Sequence, residues 1–242
     1  MPNQQKHRGQ HPQDKLLFAE NWKVPFGKAA ADLAYLWDRG YAENSSVKIV
    51  GDRYRLNVRQ RKALVRLSCP SAAIANRQQK QLLPTLLKGK SLAIDGFNLI
   101  IFVESALSNG ILLACMDGVY RDIASVHGSY KRVMETGQAL RLIGQVLVQL
   151  EVAAAHWYLD APVSNSGRLR GFIEEEARSQ GLNWQTSLVA DPDKDLVALD
   201  GGEVVISSDG WILDHAEAWS NLNAHMLQNY LSNALIFDCL RG

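Results

Sequence analysis

The fold of the chain is decided by the stretch Leu92-Ala-Ile-Asp-Gly-Phe-Asn-Leu-Ile-Ile-Phe102. Its first residues are apolar and end on a carboxylate, Asp95, which a glycine and then Asn98 follow. An apolar strand that ends in this way places a charge and an amide at a sheet edge, where α/β sheets keep their sites. Two later segments, Trp157-Tyr-Leu-Asp160 and Val204-Val-Ile-Ser-Ser-Asp209, also end in aspartate. We therefore expect three strand ends to meet at one acidic centre.

Strand-like and helix-like patterns alternate through the second part of the chain, from residue 89 onward. Such alternation predicts an α/β fold in which a mainly parallel sheet is flanked by helices. The predicted elements include helices at 140–155, 168–180 and 221–231, and strands at 184–189, 204–207 and 235–237. Because the carboxyl ends of parallel strands share one edge, the three aspartates would meet there.

A β-hairpin is predicted directly after Asp95. The pair Asn109-Gly110 lies between the apolar runs 99–106 and 111–116. Asn-Gly between two apolar runs is a strong hairpin signal, so we expect two antiparallel strands to be added to the sheet.

The formal net charge of +1 conceals a division between the two parts of the chain. Residues 1–90 carry a net charge of +11, and residues 91–242 carry a net charge of −10. A basic surface attracts polyanions, whereas clustered carboxylates need a cation in order to lie side by side. This asymmetry favours a metal enzyme that acts on a phosphate polymer, although two oppositely charged domains that dock on each other would also produce it.

The basic part is predicted to be a tail followed by a small helical domain. Residues 1–13 show no apolar period and are predicted to be disordered, and the helical domain is placed at 14–88. Its predicted elements are a short helix before Pro25, helices at 28–38 and 58–68, a hairpin or extended loop at 47–56, and a helical connector at 72–87. Asn57 is the expected N-cap of the helix that begins at residue 58.

That helix and the segment before it concentrate positive charge. Arg59, Lys62 and Arg66 are spaced by three or four residues and so share one face, and Arg53 and Arg55 precede them. We predict that these five side chains contact the phosphates of a nucleic acid. A solvated helix face, or arginines that pair with the acidic domain, stays an open alternative.

Acidic residues also open a helix after the strand predicted at 184–189. Asp191 precedes Pro192, which predicts a helix N-terminus, and Asp193 and Asp195 follow at once. Carboxylates that share a cleft repel one another unless they are protonated or neutralised by a divalent cation. Ligand oxygens without His or Cys favour Mg²⁺ or Mn²⁺ over zinc. Aspartate is also common in strand-to-helix turns, so a single one predicts no site.

The segment Ile94-Asp95-Gly96-Phe97-Asn98 resembles the opening motif of NYN-type PIN-like nucleases. Leu159-Asp160 with its following Ser/Gly turn, and Ser207-Ser208-Asp209, resemble the later acidic motifs of that family. The acid that opens a helix in the family corresponds by position to Asp193, with Asp195 as the second choice. The predicted hairpin is a departure, because helices follow the first aspartate directly in typical PIN domains. A second departure is that the early helical acid of the family has no evident equivalent, unless Asp117 or Asp122 replaces it.

The chain as a whole is similar to a family of uncharacterised prokaryotic proteins that join a small helical domain to a PIN-like domain. The segments that carry this second resemblance are Arg53-Tyr54-Arg55-Leu56, Gln60-Arg61, and Asp117-Gly118 with Arg121-Asp122. The similarity spans most of residues 14–240 and implies a PIN-like α/β domain at 89–242.

The resemblance to the nucleases implies a divalent-metal-dependent ribonuclease that hydrolyses phosphodiester bonds. The implied catalytic residues and ligands of one or two Mg²⁺ or Mn²⁺ ions are Asp95, Asp160, Asp193 and Asp209. The side chains expected to support them are Asn98, Ser208, Asp117, Asp122 and Asp195. The ions would lower the pKa of a bound water and offset charge on the scissile phosphate.

Other functions stay open. A degenerate PIN-like domain could bind RNA or a protein without cleaving it. A phosphatase that uses Asp95 as nucleophile is disfavoured, because Ala93 and Phe97 occupy the positions of the usual Asp-x-Asp pair. RNA rather than DNA is the expected partner, and a homo-oligomer is left open. The polar start and the lack of a long apolar run predict a cytoplasmic protein without a membrane span.

The remaining candidate residue types predict no further site. Three histidines are isolated and are expected in the core or on the surface: His127, His156 and His215. Four tryptophans are expected in the core rather than as platforms for bases: Trp157, Trp184, Trp211 and Trp219. The three cysteines form no C-x-x-C pair and favour neither a disulfide framework nor a zinc site.

Overall fold

The computed structural model describes residues 7–124 and 128–240. Strands in these residues are β1 (Gln81–Leu82), β2 (Ser91–Asp95), β3 (Ile111–Ala114), β4 (Tyr120–Asp122), β5 (Ala154–Asp160), β6 (Trp184–Val189), β7 (Glu203–Ile206), β8 (Trp219–Ser220) and β9 (Leu235–Phe237). Helices are α1 (Asp14–Leu17), α2 (Lys23–Trp37), α3 (Glu43–Arg53), α4 (Val58–Leu67), α5 (Ser71–Lys80), α6 (Gly96–Leu107), α7 (Thr136–Gln149), α8 (Ser166–Gln180), α9 (Pro192–Val197), α10 (Gly210–His215) and α11 (Leu222–Asn229). Short 3₁₀ helices lie at Glu20–Trp22 and Pro84–Leu86. None of these helices is long and apolar enough to cross a membrane.

Six strands form an all-parallel sheet in the order β1-β8-β7-β2-β5-β6. This part of the chain is therefore α/β, as the alternation of patterns predicts. From β2, in the interior of the sheet, the chain moves outward through β5 and β6 and then crosses to β7 on the other side. The strand order thus reverses between β2 and β7. Open α/β sheets bind their ligands in the crevice at such a reversal.

Helices cover both faces of the parallel sheet. Leu92 and Ile94 of β2 belong to a core that also contains α6, α7, α8 and α11. Ala93, between them, belongs to a smaller core with α9 and α10. This alternation is that of a strand whose side chains point to opposite faces. Because both faces are buried, β2 is apolar at every position up to its terminal aspartate apart from Ser91.

A second sheet of three strands, in the order β4-β3-β9, supports the N-terminal helices. β9 pairs in parallel with β3, whereas β4 pairs antiparallel with β3. Phe26 of α2 and Leu64 of α4 share one core with Leu113 and Phe237 of this sheet. The strand predicted at 235–237 is therefore formed, but it lies in the small sheet and not in the parallel one.

The hairpin predicted after Asp95 is wrong, because residues 96–107 form α6. The Asp95 carboxylate caps this helix by accepting a hydrogen bond of 3.4 Å from a backbone amide of its first turn. A Cβ atom added at Gly96 would lie 2.5 Å from the Leu159 Cδ2 atom, so the first turn packs closely on β5. The pair Asn109-Gly110 follows the end of α6 instead, and Asn109 adopts a left-handed φ of 58°.

Two predictions in the N-terminal part also fail. Residues 47–56 do not form a hairpin or extended loop, because α3 covers most of them and continues through Gly51. A Cβ atom at Gly51 would lie 2.6 Å from the Arg61 guanidinium, so the Arg61 side chain packs directly on the backbone of α3. The connector predicted at 72–87 is α-helical only as far as Lys80 and then continues as β1.

Several predicted helix ends are confirmed. Asn57 caps α4 through a capping box with Gln60. Asp191 caps α9, and Pro192 is the first residue of that helix. Gly181 follows the last residue of α8 with a left-handed φ of 65°. These ends are fixed by local hydrogen bonds and backbone preferences, which is why the sequence predicts them.

The segment before α1 contacts the α/β part of the chain. Arg8 forms an ion pair of 2.8 Å with Glu104 of α6, which is fully buried, and the Gly9 amide donates to the Ser108 hydroxyl (2.8 Å). The prediction of disorder is therefore wrong for residues 7–13, and residues 1–6 lie outside the described part of the chain. The predicted domain boundary after residue 88 stays a prediction.

Candidate functional site

A cavity of about 900 Å³ lies at the carboxyl ends of β2 and β7, at the reversal of strand order. Its lining includes six of the predicted site residues: Asp95, Asn98, Asp122, Asp193, Ser208 and Asp209. The N-terminal helices and the loops next to them also contribute to the lining, with Trp37, Tyr41 and Arg66 among others. The cavity is therefore shared between the acidic and the basic parts of the chain.

Asp95 ends β2 and is held by hydrogen bonds. Only 8% of its surface is exposed, and its Oδ2 atom accepts a hydrogen bond of 2.8 Å from the Ser207 hydroxyl. Burial raises the pKa of Asp95 to about 7, and the charges of Asp209 and Asp193 act in the same direction. In the described residues this carboxylate has hydrogen-bond donors but no ion pair.

Ser207 is a site residue that the sequence analysis missed. Its hydroxyl donates to Asp95 and accepts a hydrogen bond of 3.0 Å from the Asp209 amide. One hydroxyl group therefore joins the ends of β2 and β7. The two serines before Asp209 mark the position in the sequence, but only the structure shows that the first of them contacts Asp95.

Asp209 follows β7 and is fixed by the helix after it. Its Oδ1 atom accepts hydrogen bonds from the backbone amides of Trp211 (2.8 Å) and Ile212 (3.3 Å). The carboxylate is therefore the N-cap of α10. The cap holds Asp209 beside Asp95, where its charge contributes to the raised pKa of Asp95.

Asp193 reaches the same cavity from α9. Partial burial and the negative charges of Asp209, Asp191 and Asp160 raise the pKa of Asp193 to about 6, although its side chain is exposed to solvent. Such a pKa indicates that negative charge is crowded here, and no lysine or arginine of the described residues offsets it. The structure thus places Asp95, Asp193 and Asp209 around one cavity, close enough for their charges to interact.

Two other predicted acids lie at the margin of this group. Asp160, at the end of β5, is not part of the cavity lining; burial and the charge of Asp191 raise its pKa. Asp195 is exposed on α9 and is also absent from the lining. Of the two candidates on α9, the structure therefore places Asp193 and not Asp195 beside Asp95.

Asn98 and Ser208 are bonded to each other. The Asn98 Oδ1 atom accepts from the Ser208 amide (2.9 Å) and from the Ser208 hydroxyl (2.8 Å). These bonds join the first turn of α6 to the end of β7. The predicted supporting residues are thus bonded to each other, and their role in orienting a ligand or water stays a prediction.

Asp117, predicted to support the site, lies in a separate buried ion-pair cluster. Its carboxylate accepts hydrogen bonds from Arg77 and from both terminal nitrogens of Arg121 (2.9 and 2.6 Å), and Arg77 also pairs with Asp214 (2.7 Å). Burial by itself would raise the pKa of Asp117, but the charges and hydrogen bonds of Arg121 and Arg77 lower it. Asp117 is neutralised within the protein and has no role as a metal ligand in this arrangement.

Asp122 lines the cavity but is largely buried. Its Oδ1 atom has no hydrogen-bond partner in the described residues and lies 3.7 Å from the Arg66 Nη1 atom. Burial raises the pKa of Asp122, and the positive charge of Arg66 opposes this effect. Asp122 therefore belongs to the wall of the cavity. It lies next to Arg66, the one residue of the predicted basic face that lines this cavity.

No three acidic, histidine or cysteine side chains converge as a ready-made ligand set within residues 7–124 and 128–240. The sharing of one ion by all four predicted aspartates stays a prediction. The donor chemistry around Asp95 fits Mg²⁺ or Mn²⁺, because the polar groups there are carboxylate, amide and hydroxyl oxygens.

The predicted basic face is largely used for contacts within the protein. Arg59 pairs with Asp14, which is almost fully buried, at 2.6 Å. Arg66 donates to the carbonyl oxygens of Asp122 (2.5 Å) and Ala124 (3.0 Å). The side chain of Arg53 lies 3.6 Å from that of Asp32. Two of the five basic side chains have no ion pair in the described residues: Arg55 and Lys62, both exposed.

The aromatic residues correct one prediction. Trp157 and Trp219 are fully buried and Trp184 is partly buried, as expected of core residues. Trp211 is not in the core, because 45% of its surface is exposed and it lines the cavity. His215 packs against it, with ring centroids 4.4 Å apart. His127 lies outside the described residues.

Comparison with known proteins identifies the family. One family model, the domain of unknown function DUF5616, matches residues 84–225, which is more than half of the chain. The chain belongs to the DUF5616 family. A second model, the protein of unknown function DUF434, matches residues 26–80. Uncharacterized protein MJ0935 of Methanocaldococcus jannaschii is 31% identical over 186 residues, which are 77% of this chain and 88% of that protein. No solved structure matches the chain.

The predicted similarity to an uncharacterised family is therefore confirmed. All four predicted catalytic aspartates lie in the DUF5616 segment, and all five predicted phosphate contacts lie in the DUF434 segment. The cavity draws its lining from both segments. A function located in this cavity would need both parts of the chain.

Proposed function

We propose that the protein is a divalent-metal-dependent ribonuclease that hydrolyses phosphodiester bonds at Asp95, Asp193 and Asp209, with Asp160 at the margin of the site. One observation carries the proposal. These three carboxylates lie at the reversal of strand order without an ion pair in the described residues, and two of them have clearly raised pKa values. Carboxylates crowded in this way favour a divalent cation, which would neutralise them.

A PIN-like fold for the α/β part is consistent with the topology. Strand β2 carries the first predicted catalytic aspartate, Asp95, and lies inside the parallel sheet. Helix α6 begins directly after this aspartate. The resemblance to NYN-type PIN-like nucleases implies such a helix. The failure of the predicted hairpin thus removes one departure from that family and supports the proposal. The second departure remains, because Asp117, one of the two candidates for the early helical acid, is held by Arg77 and Arg121.

In the proposed reaction, a bound Mg²⁺ or Mn²⁺ would supply an activated water and offset charge on the phosphate. Asp95, Asp193 and Asp209 would hold it. Ser207 fixes the orientation of the Asp95 carboxylate, and α10 fixes that of Asp209 through its amides. Asp193, on the more exposed helix, is the acid that is most free to adjust to a ligand.

The polyanion would be held by cations that the protein leaves available. These are Lys62 and Arg55, which are exposed without an ion pair in the described residues. Arg66 lines the cavity but is already bonded to Asp122 and Ala124, so it would contribute mainly its charge. Contacts of this kind bind the phosphate backbone with little sequence preference and weaken as salt rises. Arg59 is excluded from this role because it neutralises Asp14.

A second function is favoured by a specific observation, the absence of a ready-made ligand set in the described segments. A chain that binds RNA in the cavity without cleaving it would also need the exposed cations and would not need a metal. The two functions therefore differ in their dependence on the divalent ion and on Asp95.

The test is cleavage of labelled single-stranded RNA with and without Mn²⁺, by the wild type and by Asp95→Asn. We expect cleavage that requires Mn²⁺ and falls by at least about 100-fold in Asp95→Asn, because the substituted side chain cannot act as a charged ligand. Asp200→Asn is the matched control, since Asp200 is exposed and lies outside the cavity lining. Equal cleavage by wild type and Asp95→Asn would refute the site, and binding without cleavage would favour the second function.

A further inference from the structure

Trp211 is exposed at a place where its burial would be expected. It lies two residues after Asp209, at the start of α10, and lines the cavity that contains Asp95. Tryptophan carries one of the largest apolar surfaces of any side chain, yet 45% of this one is accessible. A single exposed apolar residue is common on protein surfaces, so exposure by itself assigns no role.

The ring of Trp211 is held in place before any ligand binds. Its backbone amide donates to the Asp209 carboxylate (2.8 Å), which fixes the start of α10. Its ring packs against the His215 ring, with centroids 4.4 Å apart and an angle of 30° between the planes. The His215 Nδ1 atom lies 2.8 Å from the Trp211 carbonyl oxygen, so the histidine is held as well. One side of the indole is thus supported from within the protein.

A second exposed aromatic residue lines the same cavity. Tyr41, which follows α2, is 56% exposed and belongs to the N-terminal part of the chain. By contrast, Tyr35 is 55% exposed but lies outside the cavity lining, and the Arg39 guanidinium lies 3.4 Å from its ring centroid. Tyr35 therefore has a partner just after the end of its own helix, whereas Trp211 and Tyr41 are exposed around a space of about 900 Å³.

We propose that Trp211, supported by His215, is a stacking platform for an unpaired nucleobase of the polynucleotide that enters this cavity. The inference rests on the proposed function and narrows its substrate to single-stranded nucleic acid. Every base has a flat π-face that can stack on an aromatic ring, so the platform needs no particular sequence. Bases inside a duplex are already covered on both faces and cannot use it.

The position of the platform fits a nucleotide whose phosphate lies near the acids. The Trp211 backbone amide donates to the Asp209 carboxylate, so the indole and this acid lie close together. A base stacked on the indole and a phosphate near Asp209 would then belong to the same or adjacent nucleotides. The volume of the cavity lies within the range of about 300–1,000 Å³ that is usual for small-molecule sites. One nucleotide with its neighbouring phosphates therefore fits this space.

The test is direct binding of a fluorescently labelled oligoadenylate to the full chain in the presence of a chelator, so that no cleavage occurs. We expect Trp211→Ala to weaken binding by about 5- to 100-fold, the usual loss for one stacked base. Trp211→Phe retains a flat ring and should recover most of the affinity. Tyr35→Ala is the matched control and should bind as the wild type does. The same oligoadenylate in a duplex with oligouridylate should bind more weakly and without sensitivity to Trp211→Ala.

Two results would overturn the inference: equal affinity of wild type and Trp211→Ala for the single strand, or no binding by the wild type. His215→Ala provides a second variant that loosens the indole without removing it, and it should weaken binding by a smaller factor. If the wild type binds the single strand in a Trp211-dependent manner but does not cleave RNA, the nuclease proposal is contradicted and the stacking role of Trp211 is retained. If Trp211→Ala shows the same metal-dependent cleavage as the wild type, the nuclease proposal is retained and the stacking role of Trp211 is contradicted.

Discussion

Asp117 and Asp95 are buried to a similar degree, but their negative charges have opposite kinds of neighbours. Asp117 is 5% exposed and lies between the guanidinium groups of Arg77 and Arg121. Asp95 is 8% exposed and has Asp193 and Asp209 as its charged neighbours. The two regions adjoin, because Arg121 donates to the carbonyl oxygen of Ser208 (2.6 Å), one residue before Asp209.

The difference separates an acid that stabilises the fold from an acid that is available for chemistry. A buried carboxylate is costly unless it is paired, and Asp117 is paired with cations of the protein itself, which lower its pKa. Asp95 has no such cation in the described residues, and burial raises its pKa to about 7. In the proposed function, a bound divalent cation supplies the positive charge that Asp95 lacks in the described residues.

The largest expected effect comes from breaking the neutralised cluster. Arg121→Met leaves Asp117 buried with only Arg77 as its partner, and we expect the free energy of unfolding to fall by about 3–5 kcal/mol. Urea unfolding at pH 8 measures it. Asp95→Asn under the same conditions should keep or increase the stability of the metal-free protein, because it removes a charge that has no cationic partner among the residues that the structure describes. The comparison fails if Asp95→Asn destabilises the protein as strongly as Arg121→Met.

The second prediction uses pH. The folded state binds the Asp95 proton more tightly than the unfolded state does, since the pKa rises from 3.8 to about 7 on folding. This contribution therefore lowers the stability of the metal-free protein as pH rises from about 4 to about 7, by at most about 4 kcal/mol. Unfolding of wild type and Asp95→Asn across this range should show their difference growing with pH. A difference that does not change with pH would contradict the raised pKa.

Glu104 is a third buried acid, and it tests whether pairing with a cation stabilises such acids elsewhere in the protein. Glu104 accepts hydrogen bonds from Tyr130 and Thr136, both of 2.5 Å, and pairs with Arg8. We expect Arg8→Met to lower the free energy of unfolding by about 2–3 kcal/mol, because one charged partner of Glu104 is lost. Adding Glu104→Gln should restore part of that loss. Arg53→Met, at an exposed pair, should change the stability by less than about 0.5 kcal/mol. Equal effects of Arg8→Met and Arg53→Met would contradict the role of Arg8.

The smallest expected effect concerns the basic side chains. Lys62 is exposed without an ion pair in the described residues, so Lys62→Ala should leave the stability unchanged. It should reduce the slope of log affinity against log salt for single-stranded RNA by about 1, the value for one phosphate contact. Arg59→Ala should instead destabilise the fold, because it leaves the buried Asp14 unpaired. An unchanged salt slope in Lys62→Ala would remove that residue from the binding surface.

The parts of the fold and site that the sequence predicts are local ones. Apolar runs that end in aspartate identify β2 and β7 and the edge where Asp95 and Asp209 meet. The cap at Asp191 follows from the residues next to it. The apolar run 99–106 predicts a strand, although it lies in α6. This helix is buried on nearly all sides, and an apolar helix without a polar face shows no helical period in its sequence.

The parts that could not be predicted depend on residues far apart in the chain. Asp117 resembles a site residue in the sequence, and only the approach of Arg77, which is 40 residues away, makes it structural. The spacing of Arg59 assigns it to a basic helix face, but in the structure its guanidinium forms an ion pair with Asp14. Likewise, the contact between Ser207 and Asp95 joins positions separated by 112 residues. Local patterns do not specify such pairs.

The most direct test of the uncompensated acids is calorimetric titration of Mn²⁺ into the metal-free protein at pH 8, where Asp95 is mostly ionised. The wild type and the control Asp200→Asn should bind Mn²⁺ saturably and alike. Asp95→Asn and Asp209→Asn should each bind at least about 10-fold more weakly, because each removes a charged ligand. Saturable binding that survives in Asp95→Asn with wild-type affinity, or no binding by the wild type, would contradict the account.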